Sequence, residues 1–360
     1  MKEECISTSR REFIAAASAL SVAPFFVKTA KAASKQLMVR TSGGAYDEVK
    51  RATVYEPFRQ ETGIEIVTVP ATAGKMMAMF RAGQGGLDVI DIGNDALLIL
   101  NRMGVLQPID YSRFKYTDVN DIDPSLRLSY QVANYLYANV MCYNTSIYKP
   151  GTEPQSVKDF WNVKRFPGTR TLPGIEAGTL SLDMALLADG VPKDKIYPID
   201  IPRAFQSMSR IRPTIKKFWD SGALSTQMIA SGDAALGVLW STRAQVAIDA
   251  GAPIAMQWND NEVLVQAYGI AKSSTNVEAA NKFIDYSLSP VVQARWLNKY
   301  KAVPANRRAW TQMPASLIDP KTGQPWTASR GTFITSSGGP ITWRRLPSTG
   351  RTGSSPEHGS

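Results

Sequence analysis

Residues 37–49 read LMVRTSGGAYDEV: a short apolar run, the pair Gly43-Gly44, then Asp47 and Glu48 heading a segment with helical spacing. An apolar run that passes through glycines into an acidic first turn is the pattern of a strand that turns tightly and feeds a helix. Working outward, IEIVTV (64–69) and LDVIDI (87–92) are again short and β-branched, and the helical stretches DEVKRATVYEPFRQETG and AGKMMAMFRAG separate the three runs. Strands alternating with helices predict a layered, parallel α/β fold. Gly63 stands where a C-terminal cap belongs, and Pro57 is expected to kink or restart its helix. Met76, Met77 and Met79 read as core filler.

In open α/β sheets ligands collect beyond the carboxyl ends of the strands, where loops and helix N-termini present unpaired N–H donors. Ser42, Gly43 and Gly44 occupy such a place, either as ligand contacts or as a plain tight turn. Neither GxGxxG nor the longer glycine-lysine phosphate loop is present, so a nucleotide is not the natural guest.

A chain of 360 residues, 44% hydrophobic and 20% charged, is globular in composition and long enough for two domains. The formal net charge is +10, but residues 1–32 and 331–360 contribute +2 each, which leaves +6 on the body between them. No block of Lys or Arg marks a nucleic-acid face, so the charge reads as a mildly cationic surface with no nucleic-acid partner. The single histidine is His358, near the end of the chain. Without an imidazole in the folded body, Ser-His-Asp and Cys-His catalysis have no base, and zinc lacks its usual ligand. A pair of carboxylates of the glycosidase type needs no histidine, but no motif establishes one. No metal and no cofactor are expected.

Ser9-Arg10-Arg11-Glu12-Phe13-Ile14 precedes AAASALSVAPFFV, an apolar stretch too short to span a bilayer, and then Ala30-Lys31-Ala32. Residues 1–32 resemble a twin-arginine signal peptide with a small-residue cleavage site, which implies the twin-arginine translocase as a partner during export and a periplasmic location. The alternative is an Arg pair ahead of a buried helix. Cys5 lies ahead of the apolar run, which disfavours a lipid anchor; its removal leaves Cys142 alone, with no internal disulfide.

Residues 40–330 resemble the substrate-binding proteins of bacterial ABC importers, in particular the spermidine/putrescine branch. The resemblance rests on SGGAYDEV, YEPFRQETGIEIV, LNRMGVLQPID, SVKDFWNVKRFPGTRTLP, SGDAALGVLWSTRAQVAIDAGAPI and YGIAKSSTNVEAANKFIDYSLSP, in that order. It implies an α/β, two-lobed periplasmic-binding-protein clamshell, type II-like, with a hinge between the lobes. The first lobe would comprise 36–137 plus 268–330 and the second 141–265. YLYANVMCYN (135–144) and LVQAYGIA (264–271) would be the crossing strands, placed to act as hinges. The implied function is that of an extracytoplasmic receptor, a monomer and not an enzyme, that delivers a small nitrogenous solute to the permease subunits of an ABC transporter. The alternative is an extracytoplasmic carboxylate enzyme on a similar scaffold.

The polyamine branch holds ammonium groups with carboxylates and covers the methylene chain with aromatic rings. Trp240, in GVLWST, matches that family's pocket tryptophan. Gln266 stands at its acidic position and Leu264 at the aromatic two residues earlier, so both depart from the pattern. In PGIEAGTL, Glu176 with Gly178 lies near another of its cation-binding acids; Glu176 reads equally as a charge complementing a helix dipole. Arg243 follows Trp240 by three residues and would share its face. It suits a carboxylate through two parallel hydrogen bonds, or a structural salt bridge. Tyr46, Asn94, Tyr137 and Tyr268 complete the expected lining, as ligand contacts or as packing. The solute stays open between a polyamine and a zwitterionic amine or amino acid. With no Tyr-Tyr pair, iron is disfavoured. The last stretch, 331–360, is rich in Ser, Thr, Gly and Pro without apolar period; it reads as a disordered tail, with a reading-frame change near Gly331 as one origin.

Overall fold

The computed structural model describes residues 36–177, 180–327 and the backbone of 332–333. The opening stretch forms β1 (Gln36–Thr41), the turn at Gly43-Gly44 and α1 (Ala45–Lys50). Leu37, Val39, Arg40 and Thr41 of β1 are all buried, so the strand is covered on both faces, as a parallel sheet requires. A π-helical stretch, Arg51–Tyr55, widens the helix before α2 (Glu56–Thr62) begins. The break expected at Pro57 therefore falls just upstream, as the widened π-helical turn that precedes Pro57 in the first turn of α2. Gly63 ends α2 with φ 72°, the left-handed cap expected of it, and its N–H donates to the Arg59 carbonyl at 2.8 Å.

β2 (Glu65–Pro70), α3 (Ala73–Arg81), β3 (Val89–Gly93) and α4 (Asn94–Arg102) follow. The two-residue strands β4 (Leu106–Gln107) and β5 (Arg127–Leu128) lead to the long β6 (Gln131–Asn144). The chain then builds α5 (Val157–Trp161), β7 (Arg170–Pro173), α6 (Leu182–Ala188), α7 (Ile201–Ile211), β8 (Ile215–Trp219), α8 (Gly222–Ala230), β9 (Leu236–Trp240) and α9 (Ser241–Asp249). It returns along β10 (Ile254–Ala271) to α10 (Val277–Leu288) and α11 (Pro290–Tyr300).

The principal strands run in one continuous order, β2-β1-β3-β10-β6-β9-β7-β8. The three strands at each end are parallel to one another, while β10 and β6 pair antiparallel down the middle, from Ile254↔Asn144 to Tyr268↔Val132. The first-lobe half of β10 pairs with β3, and the second-lobe half of β6 pairs with β9. Two long strands thus belong to both lobes, as expected of the crossing segments, and a register shift between Gln257 and Glu262 marks where the pairing is interrupted.

Each lobe has its own apolar core. Leu37, Val39, Phe58, Phe283 and Trp296 anchor the first, with Met76, Ile90 and Leu97 beneath α3 and α4. Leu172, Met184, Ile211 and Val238 anchor the second, with Val140, Cys142 and Leu239 on its other side. Large side chains excluded from water stabilise by about 1.5–3 kcal/mol each, which lets the lobes stand without a disulfide. Cys142 is free and buried, and burial pushes its thiol up.

Trp326, near the end of the segment expected to return to the first lobe, stacks on Trp258 of β10, with ring centroids 6.2 Å apart, and lies beside the second-lobe core. Thr332–Phe333, at the start of the expected tail, forms a parallel strand beside Glu262–Val263. The remainder of 331–360, the stretch expected to be an export signal with Arg10 and Arg11, and Gly178 lie outside the described residues. Among the described residues no helix is long and apolar enough to cross a membrane.

Candidate functional site

Strand ends from both lobes carry the expected site residues. β1 ends at the Ser42-Gly43-Gly44 turn, β3 at Asn94, β7 at Ile175 and Glu176, and β9 at Trp240 with Arg243 one turn into α9. Gly43 and Gly44 have φ of 75° and 58°, so the turn needs residues without a Cβ. Ser42 and Gly44 are exposed there, and Asn94 is half-buried as the first residue of α4.

Three residues expected to line the cleft are committed elsewhere. Tyr46, Gln266 and Tyr268 are buried around Asp91 and Lys50, whose 2.8 Å ion pair has no solvent exposure on either side. The Tyr46 hydroxyl and Gln266 Nε2 both donate to Asp91, Gln266 at 3.0 Å, while Lys50 Nζ donates to the Tyr268 hydroxyl at 2.6 Å. The Lys50 ammonium lies 4.8–5.0 Å from the ring centroids of Tyr268, Tyr46 and Trp296. This is the chemistry of a polyamine site, carboxylate and rings around an ammonium, but the cation is the protein's own. Burial lowers the Lys50 pKa, and Asp91 works against that shift. Tyr46 and Tyr268 are raised well above the usual phenol range, first by burial and then by Asp91.

The second lobe presents a different constellation. Trp240 packs edge-on against Trp219 at 5.1 Å and Tyr137 at 6.4 Å, and its indole N–H is buried with no hydrogen-bond partner among the described residues. Gly222 makes room for it: a Cβ there would lie 2.7 Å from Arg243 Cγ and 3.1 Å from Trp240 Cε3. Arg243 is half-buried, with its guanidinium carbon 5.9 Å from the ring centroid of Tyr300 on α11. Among the described residues no carboxylate forms an ion pair with it, so the salt-bridge alternative is not realised. A guanidinium with no ion pair among the described residues is what an incoming carboxylate requires.

Register extends this corner. Glu262 opposes Asn139, and Asn139 opposes Trp240, so three adjacent strands aim one row of side chains at a common face. Tyr137, two residues before Asn139, shares that face, opposite Leu264. Its hydroxyl is raised by burial first, then by Tyr300, Asp95 and Glu262, which places it between acids of the two lobes. Lys301, after α11, bridges to Asp249 of α9 at 2.9 Å and ties the lobes at the rim.

Glu176 is exposed, in a single 3-10 turn. The acids that line a cavity next to it are Asp183 and Glu262. The sequence reading missed both: Asp183 looks like an ordinary first-turn charge of α6, and Glu262 becomes visible only through strand register. Among the described residues no cluster of His, Cys, Asp or Glu is placed to hold a metal ion.

Two α/β lobes on shared crossing strands, with aromatic and charged side chains meeting at the strand ends, define a solute receptor. A family model described as bacterial extracellular solute-binding protein matches residues 53–315, and the chain belongs to that family. It is 28% identical over 300 residues to the gamma-aminobutyric acid-binding protein of Pseudomonas aeruginosa, covering 81% of this chain and 83% of that one. The spermidine/putrescine-binding periplasmic protein of Escherichia coli is 24% identical over 247 residues, 66% of this chain and 69% of that one. A solved ABC transporter substrate-binding protein from Bradyrhizobium japonicum aligns with TM-score 0.73 at 27% identity, over 84% and 94% of the two chains. The protein is a periplasmic receptor that takes up a small solute for an ABC transporter.

Proposed function

We propose that the solute is a short linear zwitterion, an amino acid whose amine is distant from its carboxylate, and that Arg243 and Trp240 hold the carboxylate. The observation that carries this reading is a guanidinium with no ion pair among the described residues, one helical turn beyond Trp240 at the end of β9, whose indole N–H has no acceptor among them. The similarity to a gamma-aminobutyric acid-binding protein supports it. The loss of an acid at Gln266, and the occupation of the first-lobe cage by Lys50, argue against a long polyamine, whose second ammonium would be left unpaired at a cost of several kcal/mol.

Calorimetry with gamma-aminobutyrate and spermidine tests it. Arg243→Ala is expected to weaken gamma-aminobutyrate by about 2 kcal/mol or more, roughly 30-fold, because the ligand's carboxylate loses its partner. Tight spermidine binding indifferent to Arg243→Ala would instead establish the polyamine reading. The role is binding without turnover by a monomer: the solute should be recovered chemically unchanged, and light scattering should give the mass of one chain.

The SRREFI motif supports export by the twin-arginine route. Arg10→Lys with Arg11→Lys should hold a folded precursor in the cytoplasm, and export at the normal rate would exclude that route.

A further inference from the structure

On the second lobe a cavity of about 330 Å³ has apolar walls from Ile175, Leu182 and Ile199, with Asp183, Tyr197 and Glu262 also lining it. Asp183 is only 3% exposed, and its Oδ2 is buried without a hydrogen-bond partner among the described residues. An unpaired carboxylate oxygen in an apolar pocket is costly unless the group is neutral or a cation arrives. The backbone N–H groups of Asp183 and Met184 offset part of that cost, but burial dominates. Glu262 accepts a 2.8 Å hydrogen bond from Asn139, which fixes its carboxylate at the cavity wall. Tyr197 feels both acids: its hydroxyl is raised by burial, then by Asp183, then by Glu262.

The cavity is also connected by register to the carboxylate corner. Glu262, Asn139 and Trp240 lie in one row across β10, β6 and β9, so Glu262 and Trp240 are two strand spacings apart, about 10 Å between backbones. We infer that this cavity is the ammonium subsite of the receptor: Asp183 and Glu262 take the cationic end of a linear amine whose other end lies at Trp240 and Arg243. The length assigned to the solute rests on the zwitterion reading; the cation subsite does not. The walls supplied by isoleucine and leucine suit the methylenes next to the ammonium, and two carboxylates select a primary amine over an uncharged group.

One consequence concerns protons. Burial lifts the Asp183 carboxyl to about 6. An arriving ammonium selects the carboxylate form, so binding near pH 6 displaces a proton to solvent and affinity rises as pH is raised through that value. Among the described residues the titratable groups lining the cavity with Asp183 are Tyr197 and Glu262, and the tyrosine stays neutral throughout.

Calorimetry on the full mature chain, with gamma-aminobutyrate and with putrescine as probes, decides the proposal. Asp183→Asn and Glu262→Gln are each expected to weaken both amines at least tenfold. Wild-type protein titrated at pH 6 in two buffers of different ionisation enthalpy should release a fraction of a proton per amine bound, a readout that needs no variant to fold. Unchanged affinity in both variants, with native circular dichroism, overturns the subsite, as does binding without proton release. If Arg243→Ala leaves gamma-aminobutyrate unaffected while Asp183→Asn still weakens putrescine, the zwitterion reading falls and the ammonium subsite stands. Wild-type protein that binds neither amine at millimolar concentration overturns the subsite.

Discussion

Replacing Asp91 by Asn tests whether the buried Lys50 cage holds the first lobe together. The substitution keeps the shape but removes the ion-pair partner, 2.8 Å away, of an ammonium with no solvent exposure, leaving only the weaker influence of Asp47. Breaking one side of a buried ion pair typically costs about 3–5 kcal/mol, because the remaining charge is left uncompensated. The rings of Tyr46, Tyr268 and Trp296, with Tyr55 at 5.7 Å, return part of this through cation–π attraction. A net loss of about 3 kcal/mol is therefore expected in urea denaturation at pH 7. Its pH dependence identifies the cause. Burial already lowers the Lys50 pKa, and Asp91 is what opposes the shift. Without Asp91 the folded state sheds the Lys50 proton at lower pH, while the unfolded chain keeps it up to about 10.4. The unfolded state then binds more protons across that window, so the variant's stability rises with pH up to about 10, more steeply than wild type. Lys50→Met combined with Asp91→Asn, which removes both charges, should recover most of the loss. A single variant within about 1 kcal/mol of wild type, or a double variant as unstable as the single, refutes the argument.

Gly222→Ala places a methyl 2.7 Å from Arg243 Cγ; it should cost about 1–3 kcal/mol by overpacking and weaken gamma-aminobutyrate in calorimetry, whereas Ala at solvent-facing Gly190 should not weaken the ligand. Lys301→Met removes the bridge to Asp249 between the lobes; since both side chains are partly exposed, chemical denaturation should change by no more than about 1 kcal/mol, and small-angle scattering should show a larger radius of gyration without ligand.

What the sequence settled by itself were features with local causes. The strands at 37–41, 64–69 and 87–92 and the Gly63 cap are written in apolar period and turn chemistry, which act over a few residues, whereas the two crossing segments were expected from the family resemblance. Trp240 was expected from the resemblance, and the place of Arg243 one turn beyond it from helical spacing. The partners were a different matter. Lys50 meets Asp91 across 41 residues and Tyr268 across 218, so the fate of Tyr46, Gln266 and Tyr268 depended on how α1 packs over the sheet. Asp183 and Glu262 share a cavity only because α6 and β10 converge, and Glu262 faces Trp240's side only because two antiparallel registers align. A side chain's type is a property of one position, but its burial and its hydrogen-bond partners belong to the assembled layers. Whether a tyrosine lines a cleft or cages an internal ammonium was therefore decided by tertiary packing, since only packing determines which polar groups lose their water and must find one another.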